Sequence, residues 1–270
     1  MTDPTRADVD ILYRASVAVH RVFRDVRGSP HRADVVGMGA TGSPTEEIDR
    51  LAEAEILKVL DAEGVDWDLL SEEIGAVARG GGRTLVVDPI DGTHNALRGL
   101  PFATVSLGLG RRDLGGIEIG LVRDLYRGTT YWAARGRGAF RDGKPIRTRP
   151  WDARQEVLFV NLGRHATERA VRFARRARRL RALGCATLEI LAVAEGGGDG
   201  YVFENGPEAG NLRATDIAAA ACILEEAGGG IQDVEGRPLD RFPLSLGRRT
   251  SVFAWGDAEF PRAAAREGYW

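Results

Sequence analysis

The chain has 270 residues, is 43% apolar, and carries 37 basic against 39 acidic side chains for a formal net charge of −2. That length and apolar fraction exclude a disordered chain and predict one sizeable globular unit or two packed subdomains. The near-balance of charge excludes a global attraction to nucleic acid or to an anionic membrane, so any partner has to be argued from local chemistry.

At the N-terminus Thr2, Asp3, Arg6 and Asp8 are polar, and nowhere does an apolar run approach the roughly 18 residues of a membrane span. A soluble cytoplasmic protein is the expectation. Val9, Leu12, Ala15, Ser16, Val19 and Phe23 recur at steps of three and four, which predicts a helix over 4–26. The glycine-broken stretch 37–44 reads as an exposed, mobile loop. It leads into a predicted capping box, with Ser43 as N-cap, Pro44 at the first helical position and Glu46 three residues after the cap, opening a helix to about residue 62. From Thr84 the period changes: 84–87 reads as a short buried strand, and 103–109 and 117–122 as further strands. Asp142-Gly143 marks a hairpin turn between 138–140 and 145–147.

Past a boundary near residue 149 the pattern becomes α/β. A strand at 157–160, an arginine-rich helix over 165–182, a triple-glycine break at 196–198, a strand at 200–203 and a helix over 216–227 are predicted. Two domains are therefore expected, 1–148 as an α+β unit and 149–270 as an α/β unit. Cys185 and Cys222 are the only cysteines, and their small apolar surroundings read as core thiols of a reducing compartment.

The chemistry concentrates in Asp88-Pro89-Ile90-Asp91-Gly92-Thr93, which delivers two carboxylates at the end of a buried strand. Asp88 and Asp91 can converge on one hard divalent cation with the Ile90 carbonyl as a third oxygen donor. The Gly92 and Thr93 amides that follow can hold a phosphate at a helix start. An Asp-Gly turn of this kind equally serves only to bond its own backbone. The Glu72-Glu73 pair follows a short apolar run and reads either as surface or as an edge of the same site. Asp216 opens its helix, as an N-cap or as a ligand. Asp49 and Glu53, four residues apart, read as a solvated helix face.

Four motifs stand in order along the chain: 42–49 (Gly-Ser-Pro-Thr-Glu-Glu-Ile-Asp), 71–75 (Ser-Glu-Glu-Ile-Gly), 88–95, and 212–219 (Leu-Arg-Ala-Thr-Asp-Ile-Ala-Ala). With them the chain resembles the inositol monophosphatase and fructose-1,6-bisphosphatase superfamily, in particular its archaeal-type members that accept both substrates, and segments 133–147 and 225–229 support the likeness. The resemblance implies a layered αβαβα sandwich and a Mg²⁺-dependent phosphomonoesterase. Its substrate would be inositol monophosphate, fructose 1,6-bisphosphate or both, cleaved by in-line attack of a metal-activated water. It implies two or three Mg²⁺ ions, with Mn²⁺ as a substitute, held by Glu72, Asp88, Asp91, Asp216 and the Ile90 carbonyl, Glu72 being catalytic as well. It implies that Asp49 and Thr93 pair to orient and deprotonate the water, that Gly92 and Thr93 hold phosphate oxygens, that Glu204 and Arg213 contact substrate, and that the chain forms a homodimer.

Three departures stand out. Thr215 precedes Asp216 where bacterial and animal relatives carry tryptophan, 205–211 is longer than usual, and Thr41 stands where archaeal-type relatives carry an aspartate associated with the third ion. A 3′-phosphoadenosine-5′-phosphate phosphatase is the rival enzyme reading, although that branch continues its Asp-Gly-Thr motif with Lys-Glu-Phe and this chain has His94-Asn95-Ala96. A nucleic-acid- or protein-binding role is the rival of another class, motivated by eight arginines between Arg164 and Arg181. An apolar stripe of Val171, Phe173, Ala174, Ala177 and Leu180 in the same segment and the lack of an interleaved aromatic platform weigh against it.

Overall fold

The computed structural model describes residues 4–207, 209–266 and 268. Helix α1 (Pro4–Val26) forms as its period predicts, with Leu12, Ala15, Val19 and Phe23 buried along one face. The next segment departs from the expected loop. Val35–Met38 (β1) and Pro44–Glu46 (β2) pair antiparallel, and the Gly39 N–H donates to the Ser43 carbonyl at 2.8 Å to close the turn between them. The capping box is therefore not made: α2 (Glu47–Glu63) starts beyond the strand, with Glu46 at its N-cap and no side-chain cap. Longer-range bonds outweigh the local signal. The Glu47 N–H donates to the Asp34 carbonyl at 3.0 Å, and the Thr45 hydroxyl donates to the Glu73 carboxylate.

Eight strands make the first sheet: β3 (Asp68–Ser71), β4 (Gly75–Val77), β5 (Thr84–Asp91), β6 (Thr104–Gly110), β7 (Ile117–Asp124), β8 (Thr130–Ala134), β9 (Ala139–Arg141) and β10 (Lys144–Ile146). Their spatial order is β10-β9-β8-β7-β6-β5-β3-β4, with the β3–β5 pair parallel and the others antiparallel. A short helix, α3 (Thr93–Arg98), follows β5 directly. The Asp142-Gly143 turn closes β9 on β10 with both residues at positive φ, 46° and 76°, as a two-residue hairpin of this type requires.

The second sheet comprises β11 (Leu158–Val160), β12 (Leu180–Arg181), β13 (Gly200–Phe203), β14 (Gly230–Gln232) and β15 (Val252–Trp255), in the order β12-β11-β13-β15-β14. The arginine-rich segment is helical only as α4 (Glu168–Arg176), because Leu180 pairs with Leu158 as an edge strand and ends the helix early. Helix α5 (Ala186–Ala194) is apolar on nearly every side and so carries no amphipathic period to betray it. It lies with α6 (Ala214–Glu226) between the two sheets. Helices α1 and α2 cover the far face of the first sheet, while α4 and α7 (Glu259–Arg266) cover the second, through Phe173 and Phe260 packed on Phe253. The layering is αβαβα.

Close approach of α6 to the first sheet depends on glycine. A Cβ at Gly120 of β7 would lie 2.4 Å from the Ala219 carbonyl oxygen. One core cluster consequently joins both halves, running from Val86 and Val122 through Ala218 and Ala219 to Tyr201. Among the described residues no helix is long and apolar enough to cross a membrane.

Candidate active site

Residues three apart on a regular strand point to opposite faces. In β5, Asp88 lies opposite Ser106 and Asp91 opposite Thr104, so Pro89 and Ile90 face a single residue of β6. This bulge brings the two carboxylates to one side, and Pro89, which lacks an N–H, sits where the ladder is already broken. Gly92 then turns the chain at φ 87°, with the Phe102 carbonyl oxygen only 2.5 Å from where a Cβ would be. Only glycine fits there.

Three elements meet at this turn. Glu72 comes from the β3–β4 connection, Asp88 from β5 and Asp216 from the first turn of α6, and one carboxylate oxygen of each lies within 4.8 Å of the others. Asp216 is not the helix opener: α6 starts at Ala214, and the Asp216 Oδ2 accepts the Arg213 N–H at 2.8 Å. Asp91 stands beside the trio, its Oδ2 accepting the Thr187 N–H at 2.7 Å and the Thr187 hydroxyl at 2.5 Å. The Thr93 hydroxyl lies 3.0 Å from Asp49 Oδ1 and 2.7 Å from the Ile90 carbonyl oxygen.

Asp49 and Glu53 are not a solvated face. They are only 3% and 5% exposed, and Ser71 donates to Glu53. The reason is tertiary, since the α2 face that carries them packs toward the β3–β4 turn. Asp49 Oδ2 is buried with no hydrogen-bond partner among the described residues.

Burial raises the pKa of every carboxyl in this group. Glu72 is pushed up to about 7 by burial and then by the neighbouring Asp216 charge, and Asp49 to about 8 by burial and then by Glu73. Asp88 is raised well above the ordinary range by burial and then by Glu72. Against these acids stands Arg213, whose Nη1 is 3.9 Å from Glu72 Oε1 and whose other nitrogens donate to the Leu246 and Thr41 carbonyls at 3.1 and 3.3 Å. So concentrated an all-oxygen donor set, with an orphaned buried oxygen on Asp49, fits hard divalent cations, which prefer carboxylate and carbonyl ligands.

Glu204 is held by other side chains. Both oxygens of Glu204 are engaged, Oε2 by the Thr167 hydroxyl at 2.6 Å and Oε1 by Arg169 Nη2 at 2.6 Å. Arg169 also binds Glu235 at 2.7 Å, so this arginine of α4 is part of an internal ion-pair network. Arg179 and Arg181 donate to backbone carbonyls. The eight arginines do not share one helical face. Thr41 sits in the β1–β2 turn with its hydroxyl buried and unpartnered among the described residues. Of the two residues that touch Asp91, Thr187 was not singled out by the sequence and Cys185 was read only as a core thiol: both lie outside the four motifs, and their contact with Asp91 exists only once α5 has docked.

A profile of the inositol monophosphatase family matches residues 5–257. The fructose-1,6-bisphosphatase/inositol-1-monophosphatase of Methanothermobacter thermautotrophicus is 35% identical over 93% of this chain and 94% of that protein. A bifunctional NADP phosphatase/NAD kinase of Methanococcus maripaludis is 31% identical over 81% of this chain and 42% of its own length. The solved structure of an inositol monophosphatase from Thermotoga maritima superposes with a TM-score of 0.76 at 27% identity, covering 97% of this chain and 96% of that one. The chain belongs to the inositol monophosphatase family.

Proposed function

We propose that this chain is a Mg²⁺-dependent phosphomonoesterase that hydrolyses inositol monophosphate, fructose 1,6-bisphosphate or both. The observation that carries the reading is the convergence of Glu72, Asp88 and Asp216 within 4.8 Å at the end of β5. Phosphoric monoester hydrolysis is the activity named for the relatives, and this chain is a hydrolase of that class. Bound divalent cations supply neutralisation of the ester charge, a more acidic water and stabilisation of the leaving alkoxide.

The protein's own groups do the rest. Glu72, Asp88 and Asp216 hold the cations, with Asp91 and the Ile90 carbonyl as further donors. Thr93 and Asp49 orient the attacking water, and Asp49 Oδ2, which has no hydrogen-bond partner among the described residues, takes its proton. The Gly92 and Thr93 amides open α3 without intrahelical partners and hold phosphate oxygens. Arg213 keeps Glu72 from repelling the incoming phosphate and lines the substrate side. Glu204 acts at one remove, bracing the substrate rim through Thr167 and Arg169. In this reading the chain divides near residue 149, and each half supplies part of the site.

Phosphate release from inositol 1-phosphate, fructose 1,6-bisphosphate, 3′-phosphoadenosine-5′-phosphate and NADP, with Mg²⁺ and after chelation, tests the reading. Release from one or both of the first two that stops on chelation is expected. Metal-independent release, no release, or release from the nucleotides alone would contradict it.

A further inference from the structure

Asp91 differs from the carboxylates around it in how it is held. Its Oδ2 accepts three donors from one short stretch of the second half of the chain: the Thr187 N–H at 2.7 Å, the Thr187 hydroxyl at 2.5 Å and the Cys185 thiol at 3.2 Å. The Thr187 hydroxyl also lies 2.5 Å from the Thr104 hydroxyl, and Thr104 is the residue opposite Asp91 on β6. A single hydroxyl proton cannot serve both neighbours. Thr187 therefore donates to the carboxylate, the stronger acceptor, and Thr104 donates to Thr187.

The arrangement is fully enclosed, with Thr187 and Thr104 at 0% exposure and Cys185 at 1%. Thr187 is the second residue of α5, so its N–H has no intrahelical acceptor and the positive end of the helix faces the carboxylate. The same helix start packs under the turn after Asp91, where a Cβ on Gly92 would lie 3.3 Å from the Cys185 Cβ. With one oxygen saturated and the carboxylate plane fixed, Asp91 has one oxygen left to offer the cleft.

We propose that Thr187 is a positioning residue of the metal centre: it locks Asp91 in the orientation that presents the free oxygen to a divalent cation, and makes cation affinity depend on the docking of α5. The inference rests on the reading of Asp91 as a cation ligand. Outer groups that orient a ligand commonly change metal affinity by roughly 10- to 100-fold when removed. Thr187→Val removes the hydroxyl at constant shape, while Thr187→Ser keeps it.

Calorimetric titration of the metal-free full-length protein with MgCl₂, paired with its thermal unfolding in the absence of metal, decides the matter without any turnover. Mg²⁺ affinity is expected to fall roughly 10- to 100-fold in T187V and to stay near wild type in T187S. If T187V does not fold, T187A, which sets no methyl group against the carboxylate, is expected to show the same weakening. Wild-type affinity in T187V or T187A overturns the inference, as does a T187S that is weakened as much as T187V. If the wild-type protein binds no Mg²⁺, the cation reading fails and this inference with it.

Discussion

The carboxyl of Glu189 is 2% exposed on α5, accepts the Leu183 N–H at 2.6 Å, and has its pKa pushed by burial from 4.5 to about 7. A pKa higher in the folded than in the unfolded chain means that protonation favours folding. The contribution is fully present below the unfolded value and is lost as pH rises through about 7. E189Q stays neutral and keeps an oxygen for Leu183, so its melting temperature relative to wild type is expected to climb from about pH 5 to about pH 8. A difference that does not change with pH in differential scanning calorimetry would refute the assignment. Glu72, Asp88 and Asp216 were legible as candidates because each stands in a short local pattern. Thr187 was not, because its partner Asp91 is 96 residues away and no local pattern marks either bond. Asp49 was read from spacing as solvated, and only the docked α2 reveals its burial.

Helix α6 carries Asp216 to the site only because it lies hard against β7. Adding a methyl group at Gly120 places it 2.4 Å from the Ala219 carbonyl oxygen, so G120A must push the helix outward. Overpacking of this kind costs about 1–3 kcal/mol, and urea unfolding of G120A is expected to show a loss of that size. Mg²⁺ affinity should weaken in the same variant, because Asp216 moves with the helix. Unchanged stability and unchanged affinity would show that the close approach does not matter.

The strongly periodic elements α1 and β5 to β7 and the Asp-Gly hairpin were readable, because there a local pattern and the tertiary environment agree. Where they conflict, the local rule loses. Ser43-Pro44-Glu46 has the residues of a capping box, yet pairing with Val35–Met38 makes its end a strand. Among the elements that escaped notice, α5 did so because it is apolar nearly all round and β12 because Leu180 and Arg181 lie within an arginine run.

At the scale of the whole molecule, the sandwich brings Glu72 from the β3–β4 connection, Asp88 from β5 and Asp216 from a helix of the other half to one point, with Asp91 beside them, and the core that joins the halves holds them there. The account's central claim is that this point exists to bind divalent cations. Without them the crowded acids repel one another, so removing one charge is not expected to loosen the fold. The most direct test is titration of the metal-free protein with MgCl₂, wild type beside D88N. Saturable binding by wild type is predicted, lost in a D88N whose metal-free melting temperature is no lower. No binding by wild type, or equal binding by D88N, would contradict the account.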